Sequence, residues 1–408
     1  MTSHIQYPKL NRFLSLAVIT TVGLATLCMA TSASAKKNIV LHPGDSIQEA
    51  VNAAPAGSRI ILMPGQYMET HGQRDAVRIK QDGIRLIGKI EGDARAVLVP
   101  GPGNRNGILV EPEGGSSCNC VIEGSRIQGI TVEGFEGNGI KLEFVNHFKI
   151  LDNQSINNLE NGIQPELSAN GLVKNNLSYG SNDSALWIEG GTNVRVINNV
   201  THSSVTGLEV TISKDLVIVG NESYNNTIGM GLYHPSGASE PALPEMGDWK
   251  ILNNYIHDNN KENTAPGDPN GGGAASLPPG GGILLNGVSE NLLVGNTVRN
   301  NDFFGLAVVG YCLGQGEFPS EEAPFCDSNW SGIDPVPRDN RMNANTFVNN
   351  GTAPPLWHPL AFAAADIIEG YVNIPYGSDP TAGNCYAGNR YLTYVNFVTG
   401  QAEPPKCD

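Results

Sequence analysis

A glycine followed by an apolar residue returns along this chain at a nearly constant step, and that step limits the fold more than any other feature. Gly139-Ile140, Gly162-Ile163, Ala185-Leu186, Gly207-Leu208 and Gly229-Met230 follow one another at 23, 23, 22 and 22 residues. Gly107-Ile108, Gly282-Ile283 and Gly305-Leu306 continue the series across longer gaps. Those gaps hold polar, Gly/Pro-rich inserts such as 236–248 and 259–282, which read as loops leaving a regular unit. Asn153, Asn176, Asn199, Asn221, Asn254, Asn296 and Asn345 keep the same register, each three residues after an apolar one. A period in this range marks stacked units that bury a face only against their neighbours.

Within a unit the pattern alternates, as in Ile140-Lys141-Leu142-Glu143 and Leu186-Trp187-Ile188-Glu189. Alternation means strands, and no 3.6-residue period competes with it. Two or three short strands per step describe a coil whose strands pair in parallel with the coils above and below. The Asn column then points inward, where each amide bonds its equivalent on the next coil. That reading excludes glycans from Asn153, Asn176, Asn199 and Asn221, although all four stand in Asn-X-Ser/Thr triplets. The predicted class is all-β: a single-stranded parallel β-helix with an N-terminal capping helix. Ser46 and Glu49 predict a capping box, and Ile47, Ala50, Val51 and Ala54 share one face of a helix over 46–54. The predicted organisation is a signal peptide at 1–35, an N-terminal cap at 36–75 with the helix and the first strand, coils at 76–350 and a C-terminal cap at 351–408.

Lys9 and Arg12, the apolar run 13–30 and the Ala-Ser-Ala before Lys36 carry the signal-peptide reading. Cleavage there removes two basic residues and no acid, so the net charge of −15 becomes more negative. Such a balance excludes nucleic acid as a partner. No second apolar run spans a bilayer, and the product is expected to be a secreted or periplasmic monomer. Six cysteines remain, and in an exported chain disulfides are the default. Cys312 with Cys326 and Cys385 with Cys407 are the expected local pairs. Cys118 and Cys120 are left for each other or for another partner.

Residues 39–350 resemble the right-handed parallel β-helix repeat proteins of the pectin-lyase-like superfamily. The opening helix, "PAGSRIILMPGQY", the Gly-Ile rungs and the Asn column carry the resemblance. It implies the fold, while the activity stays open, because lyases, hydrolases, epimerases and adhesins share this coil. The Asn-Thr-Asp and Asp-Asp motifs of polygalacturonases are absent, as are the pectate-lyase patterns and the Asp-Pro-His-Asp of mannuronan epimerases.

Candidate chemistry lies on the outward positions of the first strand of each unit. One column reads Glu111, Glu143, Glu166, Glu189, Thr211, Tyr233, and its neighbour reads Leu109, Lys141, Gln164, Trp187, Glu209, Gly231. Stacked carboxylates about 4.8 Å apart repel. Three readings follow: screening by Lys141 and Arg195, calcium held by Glu143, Glu166 and Glu189, or acid–base work by a carboxyl whose pKa crowding raises. Glu166, Glu189, Tyr233 and His234 are the expected catalytic groups. Lys141, Glu143, Trp187 and Glu209 are expected to position substrate. The functional expectation is an exported protein that binds a polysaccharide along an acidic, aromatic-containing groove and modifies it as lyase, epimerase or hydrolase. The alternative is a non-catalytic adhesin, or a periplasmic protein resembling the copper-site maturation proteins of nitrous-oxide reductase. Tyr179, His202, Tyr224 and His257 form a further column, read as a structural aromatic stack.

Overall fold

Three parallel sheets carry almost all of the regular structure. They hold 14, 10 and 11 strands among the described residues. The computed structural model describes residues 35–234, 247–267, 273–310, 336–371 and 382–407. Most of the signal segment, most of the 236–248 insert, and Cys312 and Cys326 lie outside the described residues. Each turn of chain contributes one strand to each sheet, and each strand pairs with its equivalents one coil away. Ile140 pairs with Ile163, Ile150 with Val173, and Ser155 with Ser178. This is the predicted parallel β-helix.

The inward residues fill the coil as apolar stacks. Ile140, Leu142, Ile150, Ile163, Val173, Leu186, Val196, Leu208 and Ile218 are all within 1% of complete burial. Burying such a side chain stabilises by about 1.5–3 kcal/mol, so the stacks supply most of the driving force. The Asn column runs through the same interior. Each Nδ2 donates to the Oδ1 of the next coil, from Asn153 to Asn176 at 3.1 Å through to Asn345 and Asn389 at 3.0 Å. Each also donates to a carbonyl of the preceding coil, as Asn199 does to Val173 at 3.1 Å. The residue before each ladder Asn has a positive φ: Asp152, Asn175, Asn198, Gly220, Asn253, Gly295, Ala344 and Gly388. Gly, Asn and Asp enter that conformation most cheaply and fill every one of these places but Ala344. The sequence reading missed two further ladders: Asn226-Asn259-Asn301-Asn350, and Asn291-Asn340-Asn384.

The ends differ in detail from expectation. A strand, Asn38–Leu41, precedes the helix and pairs with Arg59–Leu62. The helix spans Ile47–Ala53, and the Ser46 hydroxyl accepts from the Glu49 amide at 3.1 Å. The acid that closes the cap is Glu69, not Glu49. Its buried carboxylate accepts from the Ile47 amide at 2.6 Å and the Ser46 hydroxyl at 2.7 Å. At the other end the sheets run past residue 350 through Ala365–Gly370, Cys385–Ala387 and Tyr394–Asn396. Cys385 pairs with Cys407 and Cys118 with Cys120. The aromatic column stacks as read, with centroids 4.4 Å apart for Tyr179–His202, 4.9 Å for His202–Tyr224 and 5.3 Å for Tyr224–His257.

The third sheet is built in two ways along its length. Ile140–Glu143, Ser184–Glu189 and Thr206–Thr211 alternate buried and half-exposed residues. Gly281–Asn286, Phe304–Val309 and Ala365–Gly370 are buried throughout. A second apolar cluster covers the outside of this later part, with Leu277 from the 259–282 insert, Phe303, and Ala363 from the segment after residue 350.

Candidate functional site

The register places both outward columns as predicted. Glu143 pairs with Glu166, Glu166 with Glu189, Glu189 with Thr211 and Thr211 with Tyr233. Trp187 pairs with Glu209, and Glu209 with Gly231. What neutralises the glutamates is then visible. The Lys141 ammonium lies 2.5 Å from Glu143 and 2.7 Å from Glu166. Burial pulls its pKa down, but Glu166 and Glu143 outweigh burial and raise it, so this lysine stays charged. The Gln164 amide donates to Glu189 at 2.8 Å. Arg78 pairs with Glu111. Arg195, expected to screen the column, stands on the first sheet opposite Leu172 and Val217.

These contacts alter the reading of the column. The calcium reading put a cation between Glu143, Glu166 and Glu189, and Lys141 occupies the space between the first two. Among the described residues no three His, Cys, Asp or Glu side chains are placed to hold a metal. Glu166, expected as a catalytic acid, is ion-paired.

The perturbed groups lie one coil further on. Burial raises the Asp183 carboxyl to about 6, with help from the Glu160 charge. Burial also raises Glu209 well above the carboxylate range, and the charges of Asp183 and Glu189 add to that shift. The Ser184 hydroxyl donates a hydrogen bond to the Glu209 carboxyl. Both environments favour the neutral carboxyl, and Glu209, which feels two acidic charges, is pushed further than Asp183. Two interacting carboxyls pushed apart in this way are the usual mark of an acid and a base working together.

Tyr233 completes the cluster. Gly231 leaves open the space that its ring fills; a Cβ there would come within 2.4–2.6 Å of two ring carbons and the phenol oxygen. Burial, and the nearby charge of Glu209, raise the phenol pKa well above its usual value, so it remains a donor. The Thr206 hydroxyl lies beside it, but neither oxygen completes a well-formed hydrogen bond. Trp187 is half-buried, and its indole N–H donates to Thr211 at 2.9 Å. The His234 amide donates to the Asn286 carbonyl at 2.9 Å, which holds residue 234 at the edge of the sheet.

The structure thus brings Glu209 and Tyr233 together and leaves Lys141, Glu143 and Glu166 as a separate ion-paired platform. Sequence reasoning missed Asp183 and Ser184. A signal was present: the Asn-Gly pair of Asn138-Gly139 and Asn161-Gly162 becomes Ser184-Ala185. Asn138 accepts from the Asn161 amide and Asn161 from the Ser184 amide, each at 3.1 Å, and Ser184 then turns its hydroxyl to Glu209.

The comparisons agree with this architecture. A family described as "Right handed beta helix region" matches residues 138–318. The A-module of mannuronan C-5 epimerase AlgE4 from Azotobacter vinelandii superimposes with a TM-score of 0.58 at 15% identity, over 88% of this chain and 95% of that one. DFA-IIIase from Arthrobacter chlorophenolicus A6, without its lid and in complex with GF2, gives 0.53 at 14% identity, over 90% and 91%. At such identities the likeness is one of fold. No curated protein matches the chain.

Proposed function

We propose, for what is a right-handed parallel β-helix protein of the pectin-lyase-like kind, that it hydrolyses glycosidic bonds of a neutral glycan laid along the outer face of the third sheet. The observation that carries this reading is the Asp183–Glu209 pair, with Ser184 bonded to Glu209, beside the Tyr233 phenol. Glu209 passes its proton to the leaving glycosidic oxygen as the bond to the anomeric carbon breaks. Water adds to that carbon and gives its proton to the Asp183 carboxylate. Tyr233 donates a hydrogen bond to a sugar oxygen, and Trp187 flanks the chain. Atoms and charge balance, and the pair exchanges protons with solvent before the next cycle.

A neutral substrate follows from the electrostatics. The charge that acts on Asp183 is that of Glu160, and those that act on Glu209 are Asp183 and Glu189, all acidic. Lysine 141 is already committed to two glutamates. A uronate carboxylate would meet repulsion there, which disfavours the lyase and epimerase options. Two disulfides fit export to an oxidising compartment.

The test is a screen of the protein on neutral and uronate-containing polysaccharides, alongside Glu209→Gln and Asp183→Asn. New reducing ends from a neutral glycan, lost in both variants, are expected. Activity should rise through about pH 6 as Asp183 ionises and fall at higher pH as Glu209 loses its proton. An ultraviolet-absorbing unsaturated product from a uronate polymer would replace hydrolysis with elimination. Binding without turnover would return the chain to the non-catalytic alternative.

A further inference from the structure

The outer face of the first sheet carries a column of the opposite sign to the glutamates of the third. Arg59 pairs with Arg85, Arg85 with Arg126, and Arg126 with Lys149. Lys174 and Arg195 follow on the next two coils. Beside each of the six stands a residue of the inner core, from Ile60 and Leu86 to Val173 and Val196, so alternation turns the cations outward. Arg59, Arg85, Lys149 and Arg195 are exposed, and Arg126 and Lys174 are half-buried. Six successive coils thus each present one cation, over five steps or roughly 24 Å at 4.8 Å each.

Like charges opposite one another on neighbouring strands destabilise a sheet. On the third sheet Lys141 and Gln164 answer the glutamates. On the first sheet nothing answers the cations. Among the described residues none of the six forms an ion pair. None of their six strands contains an acidic residue. The acids on the flanking corners are engaged elsewhere. Asp82 accepts from the Glu123 amide at 2.9 Å, Glu123 from the Asn146 side chain at 2.8 Å, and Asp152 from Gln128 at 3.0 Å. Further along, Lys250 and Arg341 follow Asp248 and Asp339 by two residues, so the unanswered stretch ends at Arg195. In a chain of net charge −15 this face is a local exception.

We infer that the outer face of the first sheet binds an extended acidic polysaccharide, laid along the coil axis with its carboxylates on the six cations. A straight file of evenly spaced cations matches a linear polymer that repeats its charge, and guanidinium groups grip carboxylates through paired hydrogen bonds. A membrane surface fits less well. The apolar neighbours of the file, Ile61, Ile87, Leu151 and Ile197, are half-buried and do not protrude as membrane-inserting side chains do. The two disulfides fit an oxidising compartment, where acidic polysaccharides are met and cytoplasmic nucleic acid is not. The acid pair stands on another sheet, so this site needs no catalysis and is independent of the hydrolase reading. It would hold the protein on an acidic matrix while the third sheet stays free for a neutral chain.

The test titrates the full protein with polygalacturonate, with its methyl-esterified neutral form, and with phosphatidylglycerol vesicles. Each titration is run at about 20 mM and about 200 mM salt, which differ several-fold in screening length. Polygalacturonate should bind at low salt and lose about tenfold or more in affinity at high salt, while the neutral ester does not bind. The combined variant Arg85→Gln, Lys149→Gln and Arg195→Gln changes three exposed side chains. It should weaken binding about tenfold or more, with Tm held or raised because repulsion along the column is relieved. A second combined variant, Lys80→Gln, Arg105→Gln and Arg299→Gln, removes the same charge from elsewhere on the coil and should leave binding within about twofold. No binding at low salt, or equal loss in the two variants, overturns the site. Tighter binding to the vesicles than to polygalacturonate overturns the polysaccharide and makes the face a membrane contact. Turnover at the acid pair is not read in these titrations, so either proposal can fail alone.

Discussion

The strands Ser184–Glu189 and Phe304–Val309 belong to one sheet, four coils apart along it, and are built on the same backbone. Their inward residues are interchangeable: Leu186 and Ile188 in one, Leu306 and Val308 in the other, all buried in the same core. Their outward residues are not. Trp187 and Glu189 are half-exposed, whereas Ala307 and Val309 are buried beneath the outer cluster. A coil therefore makes no commitment to function. Whether its outer positions are open is decided by what lies over them, and Asp183 and Glu209 stand near where the outer cluster begins.

That contrast can be broken most severely at the pair itself. Glu209→Gln should lower turnover 10²–10⁴-fold, roughly the contribution of a positioned acid, with the melting temperature held. On the covered side, Phe304→Ala should cost about 3–5 kcal/mol in a urea titration, because the ring is buried in the outer cluster. On the open side, Lys141→Met leaves Glu143 and Glu166 facing each other without their cation and should cost about 1 kcal/mol. Glu166→Ala, which leaves Lys141 its other partner, should stay within about 0.5 kcal/mol and keep activity within a few-fold. A large activity loss in Glu166→Ala would move the chemistry back to the ion-paired platform.

Asp183 makes a prediction in pH. Its carboxyl ionises near 4 in the unfolded chain and at about 6 in the folded one. Between those values the folded state holds a proton that the unfolded state has lost. Stability should therefore fall as pH rises from about 4 to about 6 and should not recover above. Glu209 acts in the same direction over a wider range, so the difference between the protein and Asp183→Asn isolates the Asp183 share. Urea midpoints across pH 4–7 that fall equally in both would show that Asp183 titrates normally.

The coil was legible from the chain because one period governs it. Gly139, Gly162 and Gly207 fix the rungs, Asn153 to Asn345 fix the ladder, and strand alternation fixes which residues face inward. The outward column was legible too, as geometry: Glu143, Glu166 and Glu189 stand where the register puts them. Their chemistry was not, because it depends on which side chain reaches which. Lys141 and Gln164 were visible as residues, but their choice of glutamate is a matter of rotamers. Asp183 was missed because it is a turn residue outside both columns, and a search for repetition passes over a single departure. The outer cover was missed for a different reason. Leu277 and Phe303 come from an insert and a turn whose return path no period predicts, although "ILLN" and "LAVV" lack the polar outward residues of "IKLE" and "LWIE".

The interior amide ladder has a consequence for how this chain is allowed to change. Successive ladder partners lie 23, 23, 22, 33, 42, 49 and 44 residues apart in the chain. The hydrogen bonds that join them stay between 2.8 and 3.1 Å. The molecule keeps count of its coils by amides rather than by residues. Between one asparagine and the next the chain is free to grow, and each added segment leaves from a fixed corner and returns to one. Lineages of such a protein can thus lengthen, trade or discard the pieces laid on the sheet without renumbering the stack beneath, and a new outer surface costs no redesign of the inside.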